Sequence, residues 1–378
     1  MKKKITLLGA GMVGSAMAID LCSKYDVTLV DIEQVKLEKL KDHFHLQIIK
    51  DDLSDQKVIS KVIADADLVI SAVPGFMGFN TLQSIISNGK NVVDISFFDE
   101  DSFELDNLAK EKKVTAVVDC GVAPGMCNII LGYHQTFMEI DEYECLVGGL
   151  PFKRTMPFQY KAPFSPSDVI EEYTREARYV ENGRIIYKPA LSEPEFVEFE
   201  NVGTLESFNT DGLRSLIKTM NIQNMKEKTL RYPGHIEYMK VLRDSGFFSK
   251  DEIEVKGIKI RPLDLTSKLL FPLWELNEDE PEFTVMRITI KGKENNIAKE
   301  YSYHLFDKYD EKTRTSSMAR TTGYTCTAVS NLILEGKFNR KGICPPEFIG
   351  AEDNCYKLVD TYLKDRSINY TAKEKFLT

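Results

Sequence analysis

The stretch Ile5-Thr6-Leu7-Leu8-Gly9-Ala10-Gly11-Met12-Val13-Gly14 decides the fold. A short apolar run of strand length enters three glycines, and small or apolar residues then recur at helical spacing through Ala16, Ile19 and Leu21. The spacing Gly-x-Gly-x-x-Gly is a weak signal alone. Here it closes a strand and opens a helix, which is the context that gives it meaning. Gly9 permits the tight turn, Gly11 lets the backbone approach a pyrophosphate, and Gly14 lets helix and strand pack closely. The free N–H groups and positive end of that helix would meet the phosphates. Met12 and Val13 lie inside the motif and are taken into the same cofactor-binding set. A second apolar run, residues 27–30, ends in Asp31, 17 residues past Gly14. A carboxylate there accepts hydrogen bonds from the adenosine ribose and repels a 2′-phosphate, so NAD is expected and NADP disfavoured.

Further apolar runs follow at residues 46–49, 67–73, 91–96 and 115–120, separated by polar segments of helix length. Continuous apolar runs of this kind are parallel strands buried on both faces. The expected fold is α/β, a doubly wound parallel sheet of the Rossmann type. Ligands bind such sheets at the carboxyl ends of the strands. That adds Asp52, expected near an adenine, Val73 and Pro74, expected near the nicotinamide ribose, and Gly121, beyond the sixth strand.

After Cys120 the texture changes. Ala123-Pro124-Gly125-Met126 starts a helix, with the proline suited to the first turn. From Tyr143 onward many segments alternate, as at 196–199, 284–290 and 300–305, which indicates a sheet with one wet face. Residues 316–334 return to small and helical types. Their close-packing side chains are expected to return the chain to the first domain, making the α+β part an insertion. The expected domains are 1–125, dinucleotide-binding; 126–315, an inserted α+β substrate domain; and 316–378, a C-terminal helical segment packing back on the first.

Composition narrows the function. The 378 residues are 43% hydrophobic and 28% charged, which excludes a disordered or fibrous chain. No run of ~18 apolar residues exists, so no membrane-spanning helix is expected. Lys2-Lys3-Lys4 before an apolar stretch resembles a signal peptide. However, Gly9, Gly11, Gly14, Asp20 and Lys24 interrupt it, and the reading is a strand and a cytoplasmic protein. A net charge of −9 argues against a nucleic-acid partner. The seven cysteines are odd in number and lack CxxC or Cys/His spacing, so buried thiols and no metal are expected.

Two clusters stand out in the second domain: Phe208-Asn209-Thr210-Asp211-Gly212-Leu213-Arg214-Ser215 and Thr229-Leu230-Arg231-Tyr232-Pro233-Gly234-His235. An arginine fork suits a carboxylate, which makes Arg231 and Arg214 candidates for substrate binding. His235 is the first candidate for proton acceptor and Asp211 the second. Arg214 has two possible anions: Asp211, three residues earlier, or a second substrate carboxylate. His43 and His45 read as surface residues, and His134 and His304 lack supporting neighbours.

Taken together these residues resemble the saccharopine dehydrogenase-like oxidoreductases, in particular the L-lysine 6-dehydrogenases of bacteria and archaea. The similar pieces are Gly9 to Gly14, Gly121-Val122-Ala123-Pro124-Gly125-Met126, Val147-Gly148-Gly149-Leu150-Pro151, Arg231-Tyr232-Pro233-Gly234-His235 and Met318-Ala319-Arg320-Thr321. The resemblance implies hydride transfer to NAD from a carbon bearing an amino group, then imine hydrolysis. It implies a small amino-acid substrate, lysine or a near relative, in a homo-oligomer, dimer or higher. Two departures separate the chain from saccharopine-forming members, which carry Asp where Ala123 stands and Cys where Val147 stands. Conversely, the lysine enzymes lack the Asp211-to-Arg214 stretch. The alternatives are a saccharopine-type dehydrogenase of N-substituted amino acids and a non-catalytic NAD-binding protein.

Overall fold

The computed structural model describes residues 2–277 and 280–377. Met1, Glu278, Asp279 and Thr378 fall within the expected domains but lie outside the described residues. The first elements alternate strand and helix: β1 (Lys4–Leu8), α1 (Met12–Cys22), β2 (Asp26–Asp31), α2 (Gln34–His43), β3 (Gln47–Lys50), α3 (Gln56–Val62), β4 (Leu68–Ser71), α4 (Gly75–Ser87), β5 (Val92–Asp94), α5 (Asp106–Glu111), β6 (Thr115–Val117) and α6 (Met126–Gln135). A strand-rich middle follows: β7 (Glu139–Pro151), α7 (Pro166–Thr174), β8 (Ala177–Glu181), β9 (Arg184–Lys188), β10 (Glu195–Phe199), β11 (Gly203–Asn209), α8 (Leu216–Thr219), β12 (Asn224–Arg231), α9 (His235–Asp244), β13 (Ile253–Val255), β14 (Ile258–Ile260), α10 (Pro262–Trp274), β15 (Glu282–Glu294) and β16 (Ile297–Lys308). The chain ends with α11 (Ser317–Leu334), β17 (Gly342–Cys344), α12 (Pro346–Ala351), α13 (Cys355–Lys364) and β18 (Tyr370–Phe376).

Two compact units result: residues 1–137 with 318–369, and residues 138–317 with 370–378. The first holds a seven-stranded sheet in the order β17-β6-β5-β4-β1-β2-β3, parallel at every pairing. This is the doubly wound sheet expected, with β17 added at its edge. The order reverses between β1 and β4, the place where such sheets open a ligand crevice. Val69, Val92, Ala116, Ile59 and Ile85 are buried in its core. α11 returns to α1 through small residues: a Cβ on Gly323 would meet Met17 Cγ at 3.0 Å and Val13 Cγ1 at 3.4 Å. Polar ties fix the same seam. Asp20 accepts from Thr327, Tyr362 and Arg366, and Asn331 accepts from Lys24 and Tyr25.

The second unit holds a nine-stranded mixed sheet, β10-β11-β12-β7-β15-β16-β18, with β8 on β12 and β9 on β8. Only β12 and β7 run parallel along this path. The glycine of Val147-Gly148-Gly149 has a structural reason: a Cβ on Gly148 would lie 2.8 Å from Leu230. Helices α7, α9 and α10 bury Ile170, Tyr173, Ile236, Met239, Leu270 and Trp274 in a second core.

Both domain boundaries differ from the sequence expectation. The first falls after residue 137 rather than 125. Helix α6 stays with the dinucleotide-binding unit because Gly132 and Gly350 let α6 and α12 touch backbone to backbone, and Asn128 donates to Glu347 at 3.1 Å. The C-terminal segment is not helical to its end. β18 leaves the first unit and adds an edge strand to β16, with Lys299 bridging to Glu374. Its charged, exposed residues are typical of a protected sheet edge and read in sequence as a polar tail.

Candidate active site

The Gly9–Gly14 turn has the geometry of a pyrophosphate cradle. Gly9 has φ +103°, a Cβ there would lie 2.5 Å from the Ala72 carbonyl oxygen, and its N–H donates to Val30 O at 2.8 Å. A Cβ on Gly14 would overlap the Gly9 carbonyl, so only glycine lets α1 sit this close to the turn. Gly11 is different. A Cβ there would meet nothing within 4 Å, so the space above it is open. Gly11 caps α1 with no side-chain hydrogen bond, leaving the first N–H groups to an incoming anion. Met12 is 41% exposed on that first turn and Val13 is half-buried. The donor set therefore fits a dinucleotide.

Asp31 is tied to the cradle directly. Its Oδ2 accepts the Ala10 N–H at 2.6 Å and its Oδ1 the Glu33 N–H at 2.9 Å. The residues after it, Ile32, Glu33 and Gln34, carry no cation. Asp52 shapes its own turn, accepting the Ser54 N–H at 2.9 Å, and that bond lowers its carboxyl pKa. Val73 is buried and Pro74 exposed at the end of β4, beside the switch point. Gly121 is buried, and a Cβ there would meet both Pro124 O and Thr322 Cγ2 at 3.2 Å.

The same sheet end carries acids that the sequence reading did not single out. Asp94 ends β5 fully buried, accepting from the Ser96 N–H at 3.1 Å and the Ser96 hydroxyl at 2.9 Å. The Cys120 N–H donates to the Asp94 carbonyl at 3.0 Å, which brings Asp119 alongside. Asp119 is buried and has φ +53°, an uncommon conformation for a side-chain-bearing residue. Burial, with the Asp119 charge adding to it, pushes the Asp94 carboxyl up to about 7 against its hydrogen bonds from Ser71 and Ser96. The signal available in sequence was an acid ending a buried apolar run, as at Asp31.

In the second unit the structure brings Arg231 and His235 together, and a relay of hydrogen bonds runs through them. Phe158 O can only accept, so His235 Nδ1 (2.8 Å away) carries the proton. His235 Nε2 then accepts from the Tyr173 hydroxyl at 2.9 Å, and that hydroxyl accepts from Arg231 Nε at 3.1 Å. Arg231 also donates to Glu172 at 2.6 Å and to Leu230 O at 3.0 Å, with its guanidinium 4.4 Å from the Tyr160 ring centroid. Arg231 and His235 are fully buried. Burial first, then the Arg231 charge, push the His235 pKa down to about 3 despite the Phe158 bond. This differs from the sequence expectation. A histidine locked in the neutral state inside the core is poorly placed to take a substrate proton, and Arg231 has its anion within the chain.

Asp211 and Arg214 lie on the turn after β11, joined to β12 by the Thr210–Thr229 hydroxyl pair at 3.0 Å. Arg178 grips Asp211 with two bonds of 2.9 and 2.7 Å. The Asp211 carboxylate is therefore engaged by Arg178. Arg214 is buried with φ +45°. Glu172, Tyr173 and Arg178 went unread in sequence, since glutamate and tyrosine on an amphipathic helix carry no motif.

One family model, described as "Saccharopine dehydrogenase NADP binding domain", matches residues 5–117. A second, "Saccharopine dehydrogenase C-terminal domain", matches residues 121–368. The chain belongs to the saccharopine dehydrogenase family. Membership places it among NAD(P)-binding oxidoreductases. The carboxyaminopropylagmatine dehydrogenase of Synechocystis is 24% identical over 90% of this chain and 91% of its own. The saccharopine dehydrogenase [NADP(+), L-glutamate-forming] of Pyricularia oryzae is 27% identical over 66% of this chain, and the match spans only 59% of that relative's length. Among solved structures, the apo saccharopine dehydrogenase (L-Glu forming) of Saccharomyces cerevisiae shares the fold over 100% of both chains, with TM-score 0.77 and 21% identity. The homospermidine synthase of Legionella pneumophila in complex with NAD shares it over 99% of this chain and 92% of its own, with TM-score 0.69 and 13% identity. Among the described residues no helix is long and apolar enough to cross a membrane.

Proposed function

We propose that the protein is an NAD-dependent dehydrogenase oxidising a CH–NH2 or CH–NH carbon of lysine or a lysine-like amino acid. The observation that carries the cofactor assignment is the Asp31 carboxylate, held 2.6 Å from the Ala10 N–H with no cation among the next three residues, Ile32, Glu33 and Gln34. Its remaining lone pairs can accept from ribose hydroxyls, and its charge opposes a 2′-phosphate. Bound on Gly9–Gly14, the nicotinamide would accept a hydride from the amine-bearing carbon, and the imine left behind would hydrolyse.

That transfer needs the amine neutral, so a group must take its proton. His235, neutral and sealed in its relay, is better suited to holding Tyr173 and Arg231 in place. Asp94 is the acid of the dinucleotide-binding unit that exchanges a proton near neutral pH, its carboxyl pushed up by burial and by the Asp119 charge beside it, and we assign it as the proton acceptor. Asp211 serves Arg178 in this reading, and Arg231 serves Glu172.

A second reading is favoured by one observation: the relative matching nearly end to end is named for carboxyaminopropylagmatine, an N-substituted amine. Arg214 would then receive the extra carboxylate. Ala123 and Val147 stand against saccharopine itself, as the sequence departures indicate. The test is cofactor reduction across a panel of amino acids, N-carboxyalkyl amines and polyamines, with NAD and with NADP. Reduction with lysine supports the first reading and reduction with only the N-substituted compounds the second. NAD binding with no turnover of any amine overturns both and leaves a non-catalytic NAD-binding protein. Asp94→Asn should remove the acid limb of the kcat/KM profile of the active pair.

A further inference from the structure

An amino-acid substrate brings a carboxylate, and Arg231, the sequence candidate for it, is already paired with Glu172. The loop after β7, residues 152–159, carries another cation, Arg154. Strands β7 and β12 are parallel, so they end at Pro151 and Arg231 on one edge of the second sheet. The Tyr232 hydroxyl ties that edge together, donating to Pro151 O at 2.9 Å. Parallel strands hold ligands at their carboxyl ends. Arg154 lies here, exposed, with its guanidinium carbon 4.6 Å from the centroid of the buried Tyr232 ring. Its Nε donates to Gln159 Oε1 at 2.7 Å. The loop beneath is fixed twice: the Gln159 N–H donates to Thr155 O at 2.7 Å, and His235 Nδ1 donates to Phe158 O at 2.8 Å.

Holding a long side chain on a surface loop costs rotamer entropy. The groups that hold Arg154 are a neutral amide and a ring face, and neither cancels its charge. Among the described residues no carboxylate pairs with it, whereas Arg178, Arg231 and Arg366 meet Asp211, Glu172 and Asp20. With Nε engaged, the edge formed by the two Nη groups is left for a planar anion, which it can meet with two parallel bonds. The surrounding sequence favours the same ligand. From Cys145 to Ser167 there is no acid and there are three cations, Lys153, Arg154 and Lys161, in a chain that carries −9 overall. Lys161 is turned to Glu280 at 3.9 Å, which leaves Lys153 and Arg154 side by side. Phe152 and Met156, 45% and 67% exposed, flank them with apolar surface that suits methylene groups.

We propose that Arg154, braced by Tyr232 and Gln159, receives the carboxylate of the amino-acid substrate and so separates amino acids from plain diamines. This rests on the dehydrogenase reading above and names the group that selects its substrate class. Arg154 touches no reacting atom in this arrangement, so its effect falls on KM rather than on kcat.

The test compares lysine with cadaverine, the same diamine without the carboxylate. Both are followed by NAD reduction and by calorimetric titration of the NADH-loaded full chain. Arg154→Met should lower kcat/KM for lysine and weaken lysine binding roughly 10-fold or more, with cadaverine and the NAD dissociation constant unchanged. Arg154→Lys keeps the charge without the fork and should recover only part of the loss. Arg184→Met, which removes an exposed cation from β9, should change none of these values. Lysine handled alike by wild type and Arg154→Met overturns the proposal and leaves the dehydrogenase reading standing. Lysine that binds through Arg154 but is never oxidised does the reverse. Equal losses for lysine and cadaverine make Arg154 a structural residue and overturn the proposal. So does a loss of NAD affinity, which gives the guanidinium to a cofactor phosphate, and so does a wild type that neither binds nor oxidises lysine.

Discussion

The Arg231 guanidinium donates to the Glu172 carboxylate at 2.6 Å, from a position 2% exposed, with the Tyr160 ring against its face. A buried cation needs its partner, and removing one half leaves an uncompensated charge. Arg231→Met leaves Glu172 unpaired and should destabilise the fold by about 3–5 kcal/mol. A shift in the urea midpoint at constant slope is the expected result. If instead the variant unfolds like wild type and loses only affinity for an amino acid, Arg231 belongs to the substrate.

The three motif glycines should respond differently to one added methyl. Gly14→Ala forces the Cβ into the Gly9 carbonyl, and Gly9→Ala adds a strained φ to a 2.5 Å contact with Ala72 O. Both should lower Tm. Gly11→Ala meets open space and should fold normally while weakening NAD, and Gly11→Val should abolish binding with the fold kept. Calorimetric titration with NAD beside a thermal melt separates the two outcomes. Unchanged NAD affinity in Gly11→Val would refute the placement of the pyrophosphate.

The contrast between these glycines and the Arg231 cluster shows what sequence can carry. Gly9, Gly11, Gly14 and Asp31 lie within a short span, so local strand–turn–helix chemistry places them without knowledge of the rest of the chain. Five of the first six strands of the parallel sheet were legible for a related reason, as largely apolar runs buried in the sheet, whereas the edge strand β3 showed only the half-buried pair Ile48-Ile49. Arg231, by contrast, meets Glu172 and Tyr173 across some sixty positions, and no periodicity announces such a contact. The turn Asp211-Gly212-Leu213-Arg214 suggested an i to i+3 pair, but Arg178 on the neighbouring β8 reaches the Asp211 carboxylate first. β18 was illegible because an edge strand is selected for charge and exposure rather than for alternation. Asp94 carried a signal that went unused, an acid ending a buried run.

Cofactor choice rests on the Asp31 carboxylate. NAD should be preferred over NADP in kcat/KM, because a 2′-phosphate would stand against a carboxylate whose following residues are Ile32, Glu33 and Gln34. Asp31→Ser should narrow the preference by roughly 10-fold or more, the worth of one charge-assisted contact. The same change frees the Ala10 and Glu33 N–H groups, so some NAD affinity should fall too. A wild-type enzyme faster with NADP would sink the assignment.

His235 makes a prediction about pH. Its pKa falls from an ordinary 6.5 to about 3, with burial the larger cause and the Arg231 charge the next. Below pH 6.5 the unfolded chain therefore binds a proton at this histidine that the folded chain refuses. Stability linked to His235 is complete above 6.5 and is lost as pH falls toward 3. Between pH 8 and pH 5 the loss should be about 2 kcal/mol. Other groups titrate in the same window, so the measurement is a difference: denaturant unfolding of the wild type against His235→Gln at both pH values. The glutamine amide can still donate toward Phe158 O and accept from Tyr173, which keeps the relay's hydrogen bonds in reach without a titrating ring. The variant should lack the 2 kcal/mol dependence. Its kcat/KM profile should keep the acid limb of the wild type, because that limb is assigned to Asp94. A variant that loses the acid limb and keeps the wild-type pH dependence of stability would return His235 to the role of proton acceptor.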